Sequence, residues 1–240
     1  MEPVKWENKN GIACLSMCKG GNTHNLEFAT TMNRILDEIT MDLTVKSLVL
    51  SSTDPKNFCL GIDVDWISKK FQDKSFQDIK EFMAGMNSIF KKLLLFPVPT
   101  IAAVNGHAFG NGAIISCACD FRFMRSDKGF FCFPEVDLGI PFLPGMLAFV
   151  KKAIPLPLFN DIYLSGRRVG APELFEHGVI QKACANADEL LSESMAFAAT
   201  FTKKRGIFSE LKKRHHKAIV RVLDEEDPPV IESLKLFITD

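Results

Sequence analysis

The chain has 240 residues, 47% of them hydrophobic and 24% charged, with a formal net charge of zero. That balance describes an ordinary globular protein with enough length to bury a core without metals or disulfides. A neutral chain with a pI near 6.9 has no bulk attraction to nucleic acid or an anionic membrane, so neither is expected as a partner. The basic runs Lys203-Lys204-Arg205 and Lys212-Lys213-Arg214 read as solvated helix faces. The seven cysteines are scattered without a CxxC pair, which fits buried free thiols in a reducing compartment. Met1 to Trp6 lacks the apolar core of a signal peptide, and Phe237-Ile238-Thr239-Asp240 carries no peroxisomal tripeptide, so a cytoplasmic location is expected.

Val4–Glu7 and Ile12–Met17 flank the polar Asn8-Lys9-Asn10-Gly11, a hairpin signal. From Leu26 to Ile39 the apolar residues fall on one helical face. Ser47–Leu50 reads as a buried strand, followed by a polar loop through Thr53-Asp54-Pro55. The stretch Ser68 to Ser75 is expected to be a loop whose position sets pocket depth. Phe76 to Phe96 reads as a long helix ended by Pro97 and Pro99. Thr100–Val104 is then a buried strand, Ala113–Cys119 a buried helix and Phe121–Met124 a further strand. Beyond residue 143 the pattern is mostly helical, with Ala187–Phe201 and Phe208–Leu223 as periodic segments and Asp227-Pro228-Pro229 opening a short final helix. Early alternation followed by helices implies an α/β core with a helical C-terminal part.

Two glycine-bearing turns each follow a buried strand: Asn57-Phe58-Cys59-Leu60-Gly61-Ile62-Asp63 and Asn105-Gly106-His107-Ala108-Phe109-Gly110-Asn111-Gly112. Facing one another, two such turns can aim backbone N–H groups at one developing oxyanion. The alternative is two tight turns that need glycine for steric reasons alone. Neither turn is a GxxxxGK[ST] or GxGxxG phosphate loop, and no Ser-x-x-Lys, Gly-x-Ser-x-Gly or HExxH pattern occurs. No metal site is expected, since His215-His216 has no evident carboxylate or cysteine partner.

Phe58-Cys59-Leu60-Gly61-Ile62-Asp63 resembles the F-x-x-G-x-D element of the crotonase (enoyl-CoA hydratase/isomerase) superfamily. Pro99 to Ala108 is similar to its P-x-I-A-A-V-x-G-x-A segment, with Gly110-Asn111-Gly112 in place of the usual G-G-G. Asp120-Phe121-Arg122 and Phe133-Pro134-Glu135-Val136-Asp137-Leu138-Gly139 resemble its D-x-R and F-x-x-P-E-x-x-x-G elements. The resemblance runs over residues 3 to 200 and is closest in pattern to monofunctional Δ3,Δ2-enoyl-CoA isomerases. It implies a crotonase spiral of ββα units over residues 1–190 and a helical extension over 191–240 that supplies contacts in a homotrimer or dimer of trimers. It also implies an acyl-CoA thioester as the ligand, with CoA as part of the substrate and no separate cofactor.

For single positions, the resemblance makes Ile62 and Asn111 the backbone N–H donors of an oxyanion hole. Leu60, Gly61, Asp63, Val64 and Gly110 belong to the substrate- and CoA-binding surface. Asp63 more naturally caps the following helix, and Asn111 at a glycine position draws attention to its backbone angles. Hydratase-like members use two glutamates; the second matches Glu135, and Ile114 stands where the first would be. One carboxylate suits proton transfer better than hydration, so isomerisation of 3-enoyl-CoA to 2-trans-enoyl-CoA leads. Hydration, another oxyanion-hole reaction such as thioester hydrolysis or dehalogenation, and a non-catalytic CoA-binding role are the alternatives. An apolar surround of Phe109, Ile114, Phe133 and Phe142 is expected to raise the Glu135 pKa by desolvation. Asp137 shares its face if the segment is a strand, and His107 reads as a packed turn residue.

Overall fold

The computed structural model of the chain describes residues 2–234. Met1 and the six residues after Leu234, including the Phe237–Asp240 terminus, lie outside the described residues. Strands β1 (Val4–Lys9) and β2 (Ile12–Met17) form the expected hairpin, and helix α1 (Leu26–Met41) follows. Asn25 caps α1 by accepting the Phe28 N–H at 3.1 Å, and Phe28, Met32, Ile35, Leu36 and Ile39 form its buried face. Strands β3 (Ser47–Ser52) and β4 (Asn57–Cys59) lead into helices α2 (Val64–Gln72) and α3 (Phe76–Leu94). The expected loop over 68–75 is therefore largely the body of α2.

The strand–strand–helix unit recurs as β5 (Thr100–Val104), β6 (His107–Phe109) and α4 (Asn111–Ala118). It recurs again as β7 (Phe121–Arg125), β8 (Phe131–Cys132) and α5 (Glu135–Leu138). Each unit adds one strand to each of two sheets. The first sheet runs β1-β2-β3-β5-β7 and ends on β9 (Lys182–Cys184), while the second runs β4-β6-β8. Among the pairings between these described strands, β1–β2 is antiparallel and the rest are parallel. Strands β4, β6, β8 and β9 are two or three residues long, too short to show a period of two, which is why the sequence pattern reads them as loop.

The first sheet is covered on both sides, as an almost wholly parallel sheet requires. Alternate residues such as Leu48, Leu50, Ala102, Val104 and Met124 join the main core. Their neighbours Val49, Ile101, Ala103 and Phe123 join a smaller cluster closed by Leu190 and Ala198 of α9 (Ala187–Ala199). Helices α6 (Pro144–Ala153), α7 (Leu156–Ser165) and α8 (Ala171–Glu176) precede β9.

Three helices end the described chain: α10 (Arg205–His215), α11 (Lys217–Glu225) and α12 (Asp227–Ser233). The periodic stretch Phe208–Leu223 is thus two helices joined at His216. The bonds His216 N–H to Lys212 O (2.9 Å) and Val220 N–H to His216 O (2.9 Å) carry the pattern across the joint, so the periodicity alone shows no break. These helices dock on α3 and α6 of the same chain. Lys212 leaves the solvated face assigned to it and is buried, donating to Asp120 Oδ2 at 2.7 Å and to the Leu93 and Val98 carbonyls. Asp227, at the start of α12, accepts from Gly145 N–H and Asn87 Nδ2, each at 2.8 Å. No helix among the described residues is long and apolar enough to cross a membrane.

Candidate active site

The two glycine turns meet. Gly61 has φ +90°, and a Cβ there would lie 2.8 Å from the Phe109 carbonyl oxygen and 3.3 Å from Asn111 N. Gly110, at φ 51° and ψ −122°, occupies backbone space that L side chains rarely adopt. It is Gly110 and not Asn111 that takes the unusual angles; Asn111 opens α4 in ordinary helical geometry, which removes the concern about its side chain. A Cβ on Gly110 would lie 3.1 Å from Glu135 Oε1, so the glutamate carboxylate rests directly against the second turn.

Ile62 and Asn111 both line the cavity at this junction, and neither N–H is spent on the neighbouring backbone, for definite reasons. His24 binds the Gly61 carbonyl with its N–H (2.8 Å) and accepts the Asp63 N–H at its own carbonyl (2.9 Å). That alternation turns the Ile62 N–H away from His24. As the first residue of a helix, Asn111 has no intrahelical acceptor for its N–H.

A cavity of about 180 Å³ opens beside the junction. Leu60, Gly61, Ile62, Val64, Gly110, Asn111 and Glu135 all line it, together with Ile67 and Ser68 of α2, Phe82 and Met83 of α3, Ile114, Phe142, Met146 and Val230. Leu60, Val64 and Leu138 are exposed at its rim. The Leu60 N–H is committed to the Gly21 carbonyl at 2.9 Å, which leaves its carbonyl as the free main-chain group. Asp63 does not line the cavity; it caps α2 by accepting the Trp66 N–H at 3.0 Å.

Glu135 is the only titratable side chain among the described residues lining this cavity. Its Oε2 is buried without a hydrogen-bond partner, and burial pushes its pKa up to about 7, partly opposed by its own backbone N–H. Of the four apolar neighbours expected around it, Ile114 and Phe142 line the cavity. Phe133 stands behind them, edge-on to Phe142 at 5.2 Å, and Phe109 instead packs against His107 and under the Arg168 guanidinium. Asp137 is a correction: Glu135–Leu138 is a helical turn and not a strand, so residues two apart diverge, and the Asp137 carboxylate lies against Gly166. His107 lies in β6 between Phe109 and Phe130, outside the cavity lining.

Two polar neighbours carry no sequence signal. The single tyrosine, Tyr163, lies on α7 against Phe142 at 4.9 Å, its phenol pKa raised by burial and then by the Glu135 charge. His24, a lone histidine in Asn22-Thr23-His24-Asn25, is fully buried behind the first turn. Among the described residues no three His, Cys, Asp or Glu side chains converge as a metal site would need.

A family model described as enoyl-CoA hydratase/isomerase matches residues 7–227. The chain is 26% identical over 185 residues to the peroxisomal enoyl-CoA delta isomerase 2 of Arabidopsis thaliana, covering 75% of this chain and 77% of that protein. It is 30% identical over 195 residues to a probable enoyl-CoA hydratase of Mycobacterium leprae, covering 80% and 72%. Relatives named for either reaction thus stand at similar distance. Among solved structures, an enoyl-CoA hydratase from Bacillus halodurans superimposes with a TM-score of 0.85 at 20% identity, covering 98% of this chain and 97% of that one. An apo enoyl-CoA isomerase of Mycobacterium tuberculosis also gives 0.85 at 20% identity, covering 97% and 98%. A chain whose units each add a strand to both sheets, matched by this family over nearly its whole length, has the crotonase fold and belongs to the enoyl-CoA hydratase/isomerase family.

Proposed function

We propose that this chain is a Δ3,Δ2-enoyl-CoA isomerase in which Glu135 is the one proton carrier. The observation that carries the reading is the single titratable group among the described residues lining the cavity: Glu135 with an unpartnered buried oxygen, with a buried Ile114 in the same lining. Hydration asks for two groups to activate water and deliver a proton, whereas transposing a double bond asks for one group that accepts a proton and returns it. Glu135 removes a C2 proton from a 3-enoyl thioester, and the electrons of that C–H bond delocalise into a dienolate. The negative charge on the thioester oxygen is met by the Ile62 and Asn111 N–H groups. Glu135 then protonates C4, and the double bond comes to lie between C2 and C3. A carboxyl with a pKa of about 7 is poised both to take and to give a proton near neutrality. The scheme uses no group beyond the CoA thioester itself.

A CoA ester fits the rim, where the Leu60 carbonyl and the exposed Leu60 and Val64 side chains lie beside the oxyanion donors. Exposed Leu191, Ile207 and Leu211 on α9 and α10 support association into a homotrimer or dimer of trimers. Seven free cysteines support a reducing compartment, the cytoplasm in our reading.

The test supplies 3-hexenoyl-CoA and crotonyl-CoA separately and follows conjugated and hydrated products. Conversion of 3-hexenoyl-CoA to the 2-enoyl thioester without hydration of crotonyl-CoA is expected. Hydration of crotonyl-CoA at a comparable rate would overturn the single-carboxylate reading, and binding of both thioesters without turnover would leave a CoA-binding protein.

A further inference from the structure

His24 and Cys59 form a buried pair that the proton transfer does not use. Both are 0% exposed, and His24 Nε2 lies 3.1 Å from Cys59 Sγ. The imidazole stacks on Phe28 with ring centroids 4.0 Å apart. Desolvation holds the imidazole pKa down to about 3 and the thiol up to about 12, so both are neutral. A neutral, fully enclosed thiol is no nucleophile.

The partners of the sulfur assign its proton. Cys59 Sγ lies 3.0 Å from the Asn22 carbonyl, 3.1 Å from His24 Nε2 and 3.3 Å from Gly61 N. The carbonyl can only accept and the Gly61 N–H can only donate, so the S–H points to Asn22 and the sulfur accepts from Gly61. His24 then donates from Nε2 to the same sulfur. His24 Nδ1, buried without a partner, carries the lone pair in this tautomer, and an orphaned acceptor is tolerated better than an orphaned N–H.

The main chain of His24 holds the same strand from the other side, through the bonds to Gly61 and Asp63 that flank Ile62. Asn22 Nδ2 also donates to the Phe58 carbonyl at 3.0 Å. Gly61, at φ +90°, is therefore fixed at its N–H by the sulfur and at its carbonyl by His24. The peptide plane between Gly61 and Ile62 carries both that carbonyl and the Ile62 N–H, so holding one directs the other.

We propose that His24 and Cys59 are positioning residues for the oxyanion hole, a hydrogen-bonded pair behind the first turn that aims the Ile62 N–H at the substrate's thioester oxygen. The inference rests on reading Ile62 and Asn111 as the oxyanion donors. Loss of the pair frees the Gly61 N–H and leaves the His24 main-chain N–H as the remaining hold on the turn, so the Gly61–Ile62 peptide can shift while the cavity wall stays intact. Its effect falls on states with charge on the oxygen and spares those without.

Acetoacetyl-CoA and hexanoyl-CoA separate the two cases. The first ionises to an enolate, with a distinct ultraviolet absorbance, that places negative charge on the thioester oxygen; the second stays neutral. In wild-type protein, binding is expected to draw acetoacetyl-CoA toward its enolate. Cys59→Ala and His24→Leu should each weaken enolate binding and lower kcat by about tenfold, short of the 10²–10³ for removing a donor outright. Hexanoyl-CoA affinity and KM should stay within about twofold of wild type, and Cys59→Ser, which keeps an acceptor and a donor, should restore most of the enolate signal. Cys59→Ala carries the same test if His24→Leu does not fold.

Enolate and hexanoyl-CoA affinities that fall together would show a general structural role and overturn the proposal, as would enolate binding unchanged in both variants. Wild-type protein that binds hexanoyl-CoA without enolising acetoacetyl-CoA would overturn the oxyanion reading itself, and this inference with it.

Discussion

Glu135 and Asp120 are both partly buried carboxylates, and the fold treats them in opposite ways. Asp120 Oδ2 receives the Thr100 N–H at 2.8 Å, the Thr100 hydroxyl at 3.0 Å and the Lys212 ammonium at 2.7 Å. Lys212 in turn spends its remaining donors on the Leu93 and Val98 carbonyls. Glu135 has one oxygen against the glycine turn and the other buried without a partner. A satisfied network stabilises and fixes the docking of α10, whereas an orphaned oxygen costs stability and persists where something else must bind. The contrast separates the structural end of the molecule from the chemical one.

Glu135→Gln breaks the chemical side of this contrast most sharply. It keeps shape and removes the base, so kcat on 3-hexenoyl-CoA should fall by at least about 10³-fold, at the strong end of what a general base contributes. Affinity for hexanoyl-CoA, by isothermal titration, should stay near wild type. Residual turnover within about tenfold, roughly 1.4 kcal/mol of barrier, would assign the base elsewhere.

Lys212→Met tests the structural side. Removing one partner of a buried pair leaves the other uncompensated and costs about 3–5 kcal/mol. For a chain of this length that lowers Tm on the order of 10 °C. The lower figure applies here because Asp120 keeps its Thr100 bonds and some solvent access. Turnover per folded molecule should not change; a kcat loss without a Tm shift would join the two regions that the contrast separates.

The two sides were not equally legible in the sequence. The turns at Gly61 and Gly110 are visible because their backbone angles and close approaches exclude side chains, so residue identity records geometry directly. Glu135 was visible only through its motif, since nothing local distinguishes a desolvated glutamate from a solvated one. Lys212 carries a misleading signal because a run of basic residues looks like a wet helix face, and its acceptor lies 92 residues away. Asp227 reaches Gly145 across 82 residues in the same way. His24 carries no signal because its partners become neighbours only when the first turn folds over it.

pH sharpens the comparison from the chemical side. Glu135 acts as a base only when ionised, so kcat/KM should rise with pH and level off above about 7. Its folded pKa lies above the unfolded value of 4.5, so the native state holds the extra proton between these limits. Stability therefore falls as pH rises from about 4.5 to 7, by roughly 3 kcal/mol. Glu135→Gln should recover that amount in urea denaturation at pH 8, and the gain should vanish near pH 4. A stability gap that does not narrow on acidification would place the cost in packing and not in ionisation.

Asp227→Asn is the smallest perturbation and the one that probes the seam between the two regions. The Asp227 carboxyl is wholly buried, with its pKa raised mainly by desolvation, yet it accepts from both Gly145 and Asn87. Asparagine keeps one acceptor for Gly145 and sets its amide nitrogen against that of Asn87. The lost hydrogen bond costs about 1 kcal/mol, partly returned because a buried charge is also removed. Val230 lies three residues along α12 and lines the Glu135 cavity. Loosening that helix should therefore raise KM for longer 3-enoyl chains more than for 3-hexenoyl-CoA, with kcat little changed. A uniform KM across chain lengths would mean that α12 only braces the fold and does not shape the cavity.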